Sequence, residues 1–410
     1  MISAPQNNVC AVGDVNQSIF GFRAASTRYI KEFREHFPGA VKITLDKNYR
    51  STKRILGLAN RVIKHTSCRA ENIAVREGKS WPVYMKPADP EEEARQIVEL
   101  IEEKHHKEGT PLKSFAVLYR TVENSRALFE KLTLEGIPFI CYNNRTPFYE
   151  TDCIKPVIDY LRLAAGKSGM EALLGVLHTL YLSRKKWAKQ LQEMHKSSPS
   201  TPLIRLLLGL PSLESFQRES LKKRIQLVES LGDKQPIEAI RLIRQQFYDK
   251  YINRSFLYPL SHQKEQLFEK LDELKISAAK FDRLEGYVEF VDLVVEKHKE
   301  MQSLMEEPDQ QDRVKLMTIH SSKGLEFDTV FVIGVVEDNI PHRNALNEGD
   351  NHIWHRFLID KELVDDPVEE ECRLLYVAVT RAKENLFISG PKNYKNKPVK
   401  ISRFIQGFFK

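Results

Sequence analysis

The sequence predicts an α/β protein: a parallel sheet covered by helices and interrupted by a long all-helical block. Three observations carry this. Val314 to Val336 (VKLMTIHSSKGLEFDTVFVIGVV) holds two short apolar runs on either side of a polar loop, the pattern of strands buried on both faces. Between Phe115 and Tyr142 strand-like and helix-like segments alternate, as in an α/β layer. From about Ile154 to Met305 the texture changes to leucine-rich segments of period 3.6, which suit helices alone.

Length and composition bound the rest. A chain of 410 residues has room for two or three domains with full cores. A hydrophobic fraction of 41% and a mean hydropathy of −0.42 describe an ordinary globular chain. The apolar run at 329–336 is too short to span a bilayer and Met1-Ile2-Ser3 opens no signal peptide, so no membrane and a cytoplasmic location are expected. The five cysteines are odd in number and scattered without a C-x-x-C pair, against a disulfide framework or a zinc site. His352 and His355 are the nearest thing to a metal-ligand pair but read better as a solvated face, so no metal site is expected from this chain. A net charge of +7 and a pI near 8.9 are compatible with a polyanionic partner without requiring one.

Taken in order, Val9 to Val12 reads as a short strand ended by Gly13-Asp14. Phe20, Phe22 and Arg23 follow close on Gln17, either as core phenylalanines or as faces for bases with a cation for the backbone. Thr27 to Phe37 predicts an amphipathic helix closed by Pro38-Gly39, and Val41 to Leu45 a strand in the same sheet as 314–319. Ser51 or Thr52 can cap a helix through Val62, which puts Tyr49 and Arg50 at a strand-to-helix junction, a natural place to stack a base and meet a phosphate. Pro90 to Glu108 predicts a charged outer helix whose Ala94, Ile97, Val98 and Ile101 form one apolar stripe. Strands are expected at 115–119 and 138–142, with a helix at 125–135 between them.

Within the helical block, Arg184 to Lys189 (RKKWAK) interleaves four cations with a tryptophan, either a solvated helix end or a surface for a nucleic-acid backbone. Gly166-Lys167-Ser168 imitates the tail of a phosphate-binding loop. The position five before Gly166 is Leu161 in a helix-like run, so the stretch reads as a helix C-terminus. After the second sheet block, Glu369 to Ser389 (EEECRLLYVAVTRAKENLFIS) gives an apolar helix, then Thr380, Arg381 and Lys383, then a strand. An arginine at the sheet rim there can meet a phosphate through its planar fork. The loop His320 to Glu326 is expected at the carboxyl ends of the strands, where ligands of parallel sheets gather.

GDVNQSIFGFR, LDKNYRST, LMTIHSSKGLEFDTVFVIGVVEDNIPH and EEECRLLYVAVTRAK resemble, in that order, motifs III, IV, V and VI of the UvrD/Rep/PcrA-like superfamily 1A DNA helicases. The resemblance covers nearly the whole chain. It implies a RecA-like parallel-sheet domain (2A) interrupted by an all-helical insertion (2B). The segments would be 1–38, a remnant of subdomain 1A with motif III; 39–160 and 312–410, the two parts of 2A; and 161–311, subdomain 2B. It also implies roles. Gln17 senses the γ-phosphate, Tyr49 stacks on adenine, Arg50 and Arg381 reach the phosphates as arginine fingers do, and Glu326 contacts the nucleotide. Phe20, Phe22 and Arg23, with His320 and Lys323, would face single-stranded DNA.

The departures shape the expectation as much. No G-x-x-x-x-G-K-[ST] and no D-E-x-Q segment is present, Cys372 stands where one of two paired arginines is usual, and Phe20 and Phe22 replace Tyr and Trp. The implied function is the C-terminal part of an ATP-dependent 3′-to-5′ DNA helicase or translocase, using ATP and Mg²⁺. The chain alone is expected to be ATPase-deficient, with the Mg²⁺ ligands supplied by a missing N-terminal half. Expected partners are single-stranded DNA, duplex DNA through the helical insertion, and that N-terminal half. The alternatives are a non-catalytic DNA-binding or regulatory module, or one half of a split helicase.

Overall fold

The computed structural model describes residues 8–23, 25–67, 71–142, 146–167, 169–211, 213–254, 261–304, 311–346, 366–395 and 397–409, with the side chains of Phe22 and 261–263 outside that description. The chain divides into two compact units, one built from residues up to 144 and from 304 onward, the other from residues 145 to 303. The first unit contains strands β1 (Lys47–Thr52), β2 (Ile73–Arg76), β3 (Val83–Met85), β4 (Phe115–Tyr119), β5 (Phe139–Cys141), β6 (Val314–Thr318), β7 (Phe327–Val332) and β8 (Ala382–Ser389). Its main sheet has the order β3-β8-β7-β4-β6-β5, and every neighbouring pair is parallel.

The sheet forms where the sequence is apolar at consecutive positions. All five residues of β4 and all but Asp328 of β7 are buried, because each strand has a neighbour on both edges and helices on both faces. Alternation divides the side chains. Ala116, Leu118, Met317, Val330, Val332, Leu386 and Ile388 join a core with α1 (Lys53–Ile63) and α4 (Pro367–Val379). On the other face the register sets Val117 beside Leu316 and Phe331, and Phe331 stacks on Phe387 with ring centroids 4.8 Å apart. Helices α2 (Pro90–Glu108) and α3 (Arg126–Leu134) pack on each other, and Phe129 of α3 meets Phe139 of β5 edge-on. Helix α2 starts where Asp89 accepts from the Glu91 and Glu92 amides and stops at Gly109, whose φ of 67° suits glycine.

Three local expectations are corrected. Residues 41–45 form no strand: Val41, Ile43 and Leu45 are 84%, 80% and 84% exposed. The strand begins instead at Lys47 and pairs with β2 in a separate two-stranded parallel sheet, so this region does not share a sheet with 314–318. The main-sheet edge beside β8 is taken by β3, three residues too short to announce themselves. Val9 to Val12 is likewise no strand, Val12 being 89% exposed. Thr27 to Phe37 is not one helix but two four-residue turns, Arg28–Lys31 and Phe33–His36, broken at Glu32.

The second unit is built, among the described residues, from helices: Lys155–Ala164, Met170–Val176, Arg184–Ser197, Ser215–Glu229, Pro236–Ile243, Asp249–Arg254, Ser261–Ala278 and Leu284–Leu304. The first of these lies wholly in this unit, although the sequence assigned most of it to the preceding segment. Gly166 follows its end with φ 69°, the left-handed residue that closes a helix, which accounts for GKS without a phosphate loop. Among the described residues no helix is long and apolar enough to cross a membrane.

Candidate functional site

The stretch between β6 and β7 does not stay at the carboxyl ends of the strands. It leaves β6 beside the end of β4, where the Ile319 amide donates to the Tyr119 carbonyl, and returns to the amino end of β7, where the Phe327 amide donates to Arg381 O. The expectation that all of His320 to Glu326 lies at the carboxyl ends is therefore corrected. Strand β7 runs parallel to β6 with β4 between them and must be entered at its start, so the loop returns along the length of the strands. Ser322, fully buried, donates to Ile319 O (2.7 Å), Ser321 and Thr318 share a hydroxyl contact (2.8 Å), and Gly324 takes φ 90°. The loop is thus a fixed turn rather than a loose strap.

At its far end Glu326 joins two cations. Arg50 Nε donates to Glu326 Oε2 (2.6 Å) and Lys383 Nζ lies 3.1 Å from Oε1. The hydrogen bond from Arg50, then that from Lys383, holds the Glu326 carboxyl below the usual carboxylate range. Tyr49, next to Arg50, is 67% exposed. Arg381 is not displayed at the rim as expected but is 1% exposed. Its guanidinium donates to Val377 O (3.1 Å), Leu325 O (3.0 Å) and Thr380 Oγ1 (3.3 Å). Burial, and next the charge of nearby Arg50, pull its pKa down to about 10, which leaves it protonated at neutral pH.

At the near end the ring of Phe20 collects the other candidates. The His320 ring lies 6.1 Å from it, Lys323 Nζ 5.1 Å from its centroid and the Arg23 guanidinium 5.5 Å from it. Burial, then the charges of Arg120 and Arg23, push the His320 imidazole down to about 4, so it is neutral at physiological pH. The backbone of Phe22 continues the short helical turn Gly21–Arg23, while its side chain falls outside the described residues.

Residues 14–21 run antiparallel along α4 and tie the two ends together. Glu370 Oε1 accepts from the Gly21 amide (2.9 Å), Arg373 Nε donates to Ser18 O (2.8 Å), Asn16 lies against the Tyr376 hydroxyl, and Asp14 is near Arg381. Gln17 donates its amide to Asp14 Oδ2 (2.7 Å). The sequence reading did not assign Arg120 and Glu371, which form a bidentate pair of 2.7 to 3.1 Å at the end of β4, with the His342 amide also donating to Glu371 (3.1 Å). The three glutamates before Cys372 were the available signal; spacing alone could not give each its partner. Cys372 itself is buried and donates to Val62 O, a packing position. Among the described residues no group of three His, Cys, Asp or Glu is arranged to hold a metal, and His352 and His355 lie outside them.

A parallel sheet and one loop thus join a cationic cleft to an aromatic-cationic cluster. Residues 43–393 match the UvrD-like helicase C-terminal domain family and residues 1–38 the UvrD/REP helicase N-terminal domain family. The chain belongs to the UvrD-like helicase family. It is 34% identical over 411 residues to the putative ATP-dependent DNA helicase YjcD of Bacillus subtilis, covering 99% of this chain and 51% of that protein. It is 30% identical over 412 residues to the ATP-dependent DNA helicase PcrA of Staphylococcus epidermidis, covering 93% of this chain and 51% of the relative. PcrA of Staphylococcus aureus is 28% identical over 422 residues, with 95% and 52% covered. The chain thus spans about half the length of the curated relatives it matches. One expectation falls here. Residues 1–38 match the N-terminal helicase domain and YjcD aligns over 99% of the chain, so that domain is represented. ATPase deficiency of this chain for want of an N-terminal half, with magnesium ligands or a partner half supplied from outside, is accordingly withdrawn.

Proposed function

We propose that this chain supplies nucleotide-facing and DNA-facing residues of an ATP-dependent DNA helicase or translocase that moves 3′ to 5′ on single strands. The observation that carries the reading is the Ile319 to Phe327 loop. It starts beside Phe20, His320 and Lys323 and ends at Glu326, between Arg50 and Lys383 and next to Arg381. In this reading the sheet unit from residue 39 onward is the family's 2A domain, residues 1–38 belong to its 1A subdomain, and the helical block is its 2B subdomain, available to duplex DNA.

The residues fit a nucleotide. Tyr49 offers an exposed ring to a base, and Arg50 and Arg381 offer fixed positive charge to a polyphosphate. ATP, when bound, supplies the phosphoryl group whose transfer drives movement. Arg50 then exchanges Glu326 for a phosphate oxygen, Gln17 is placed by Asp14 to sense the same group, and Arg381 stabilises charge from behind. Phe20 stacks on a base while Lys323 and Arg23 meet the backbone. The test is unwinding of tailed duplexes by the native protein with ATP: a 3′ tail should support strand separation and a 5′ tail should not. Equal use of both tails would refute the polarity, and DNA binding indifferent to Phe20→Ala and Lys323→Ala would refute the DNA-facing assignment.

A further inference from the structure

Strand β1 is irregular at the point where Arg50 sits. Asn48 pairs with Ala74 and Thr52 with Arg76, four residues of β1 against two of β2, so Tyr49, Arg50 and Ser51 bulge out opposite Val75. Three contacts hold that bulge. Asn48 Oδ1 accepts from the amides of Arg50 (3.0 Å) and Ser51 (2.9 Å), and Ser51 Oγ donates to Ala382 O (2.7 Å). Arg76 supplies the third: its NH1 donates to Arg50 O (2.7 Å), while its NH2 pairs with Glu384 at the amino end of β8. Glu384 follows Lys383, the second partner of Glu326, so one side chain fastens the Arg50 backbone to the strand start that carries Arg381 and Lys383.

Resting on the nucleotide reading of Arg50 given above, we propose that Arg76 is a positioning residue for that arginine, with Glu384 orienting its guanidinium. The bulge takes Arg50 out of the regular ladder register, and its carbonyl is held by a side chain from β2. The Arg76 fork satisfies that carbonyl and an anion on β8 in one plane, which a lysine could not do. Arg76 touches no ligand in this account; it fixes where Arg50 points.

The experiment measures binding of N-methylanthraniloyl-ATP and N-methylanthraniloyl-ADP to the chain, with thermal midpoints recorded in parallel. Arg50→Ala establishes the reference: loss of a charge-assisted contact to the terminal phosphate should cut the preference for triphosphate over diphosphate about tenfold. Arg76→Met, which keeps the apolar stem, should remove most of the same preference while diphosphate binding stays near wild type. The exchange Arg76→Glu with Glu384→Arg restores the ion pair but offers no donor to Arg50 O, so the thermal midpoint should recover and the preference should not. Recovery of the preference in the exchange variant, or a wild-type preference in Arg76→Met, overturns the proposal and leaves the nucleotide reading standing. An Arg50→Ala variant with unchanged preference, or a chain that binds neither probe, overturns the nucleotide reading and this inference with it.

Discussion

The two ends of the 319–327 loop are built differently. At the Glu326 end the cations are locked: Arg50 and Lys383 share one carboxylate, and the Arg381 guanidinium donates to two carbonyls and a hydroxyl. At the His320 end cations stand 5.1 and 5.5 Å from the centroid of one phenylalanine ring, with a tilted imidazole at 6.1 Å. The difference teaches what each end is for. A site that recognises one defined anion gains from charges held in place beforehand, with Glu326 standing where an incoming phosphate would compete. A surface that must take successive nucleotides of any sequence gains from ring faces and long flexible cations.

The largest effect should come from the joint at the end of β4. Glu371 is 5% exposed, binds Arg120 through both oxygens and accepts from the His342 amide. Replacing it by alanine leaves the half-buried Arg120 guanidinium without its counterion and the His342 amide without its acceptor, at a cost of up to about 3 kcal/mol. Chemical denaturation of Glu371→Ala checks this, and a loss within experimental error would show that the joint is not rigid.

A pH measurement sharpens the contrast by probing a part of the sheet remote from the charged end. Glu93 of α2 is buried, accepts from the Gly334 amide (3.1 Å) and is pushed up to about 7 by burial. Its folded pKa exceeds the unfolded one, so its contribution is full below about 4.5 and is lost as pH rises towards 7, by about 3 kcal/mol at 1.36 kcal/mol per unit. His320, depressed to about 4, acts in the opposite sense, losing stability as pH falls below about 6.5. The curve for Glu93→Gln subtracted from wild type isolates the carboxyl; a flat difference between pH 4.5 and 7 would contradict its burial in the uncharged form.

The smallest effect concerns salt. Removing one backbone-facing cation by Lys323→Ala should weaken binding of a thymidine oligomer modestly and lower the slope of log affinity against log salt by about 0.7. An unchanged slope would take Lys323 off the DNA surface.

Much of this could be read in the sequence, and the reasons are local. Strands β4, β6 and β7 and helix α2 carry their own period, so Phe115 to Tyr119 and Pro90 to Glu108 appear where the pattern placed them. Strand β3 has three residues and β2 four, too few for a period, whereas 41–45 alternates and yet finds no partner. The site divides in the same way. Phe20, His320, Lys323, Arg50, Glu326 and Arg381 were each legible as residue types in a motif. That Arg50 would meet Glu326, 276 positions away, and Arg120 meet Glu371, 251 positions away, depends on sheet order, which no spacing encodes. The burial of Arg381 was equally hidden, because it follows from carbonyls at Leu325 and Val377 that only the folded loop and helix bring together.

If one loop serves two separate ligands, the two bindings should come apart in a double dissociation. Binding of a fluorescent ATP analogue and of a labelled thymidine oligomer would be titrated for wild type, Arg50→Ala and Phe20→Ala at one fixed salt concentration. The account predicts that Arg50→Ala weakens the nucleotide by about tenfold and leaves DNA nearly unchanged, while Phe20→Ala weakens DNA by about tenfold and leaves the nucleotide nearly unchanged. Equal losses of both ligands in either variant, or no loss in both, would contradict it.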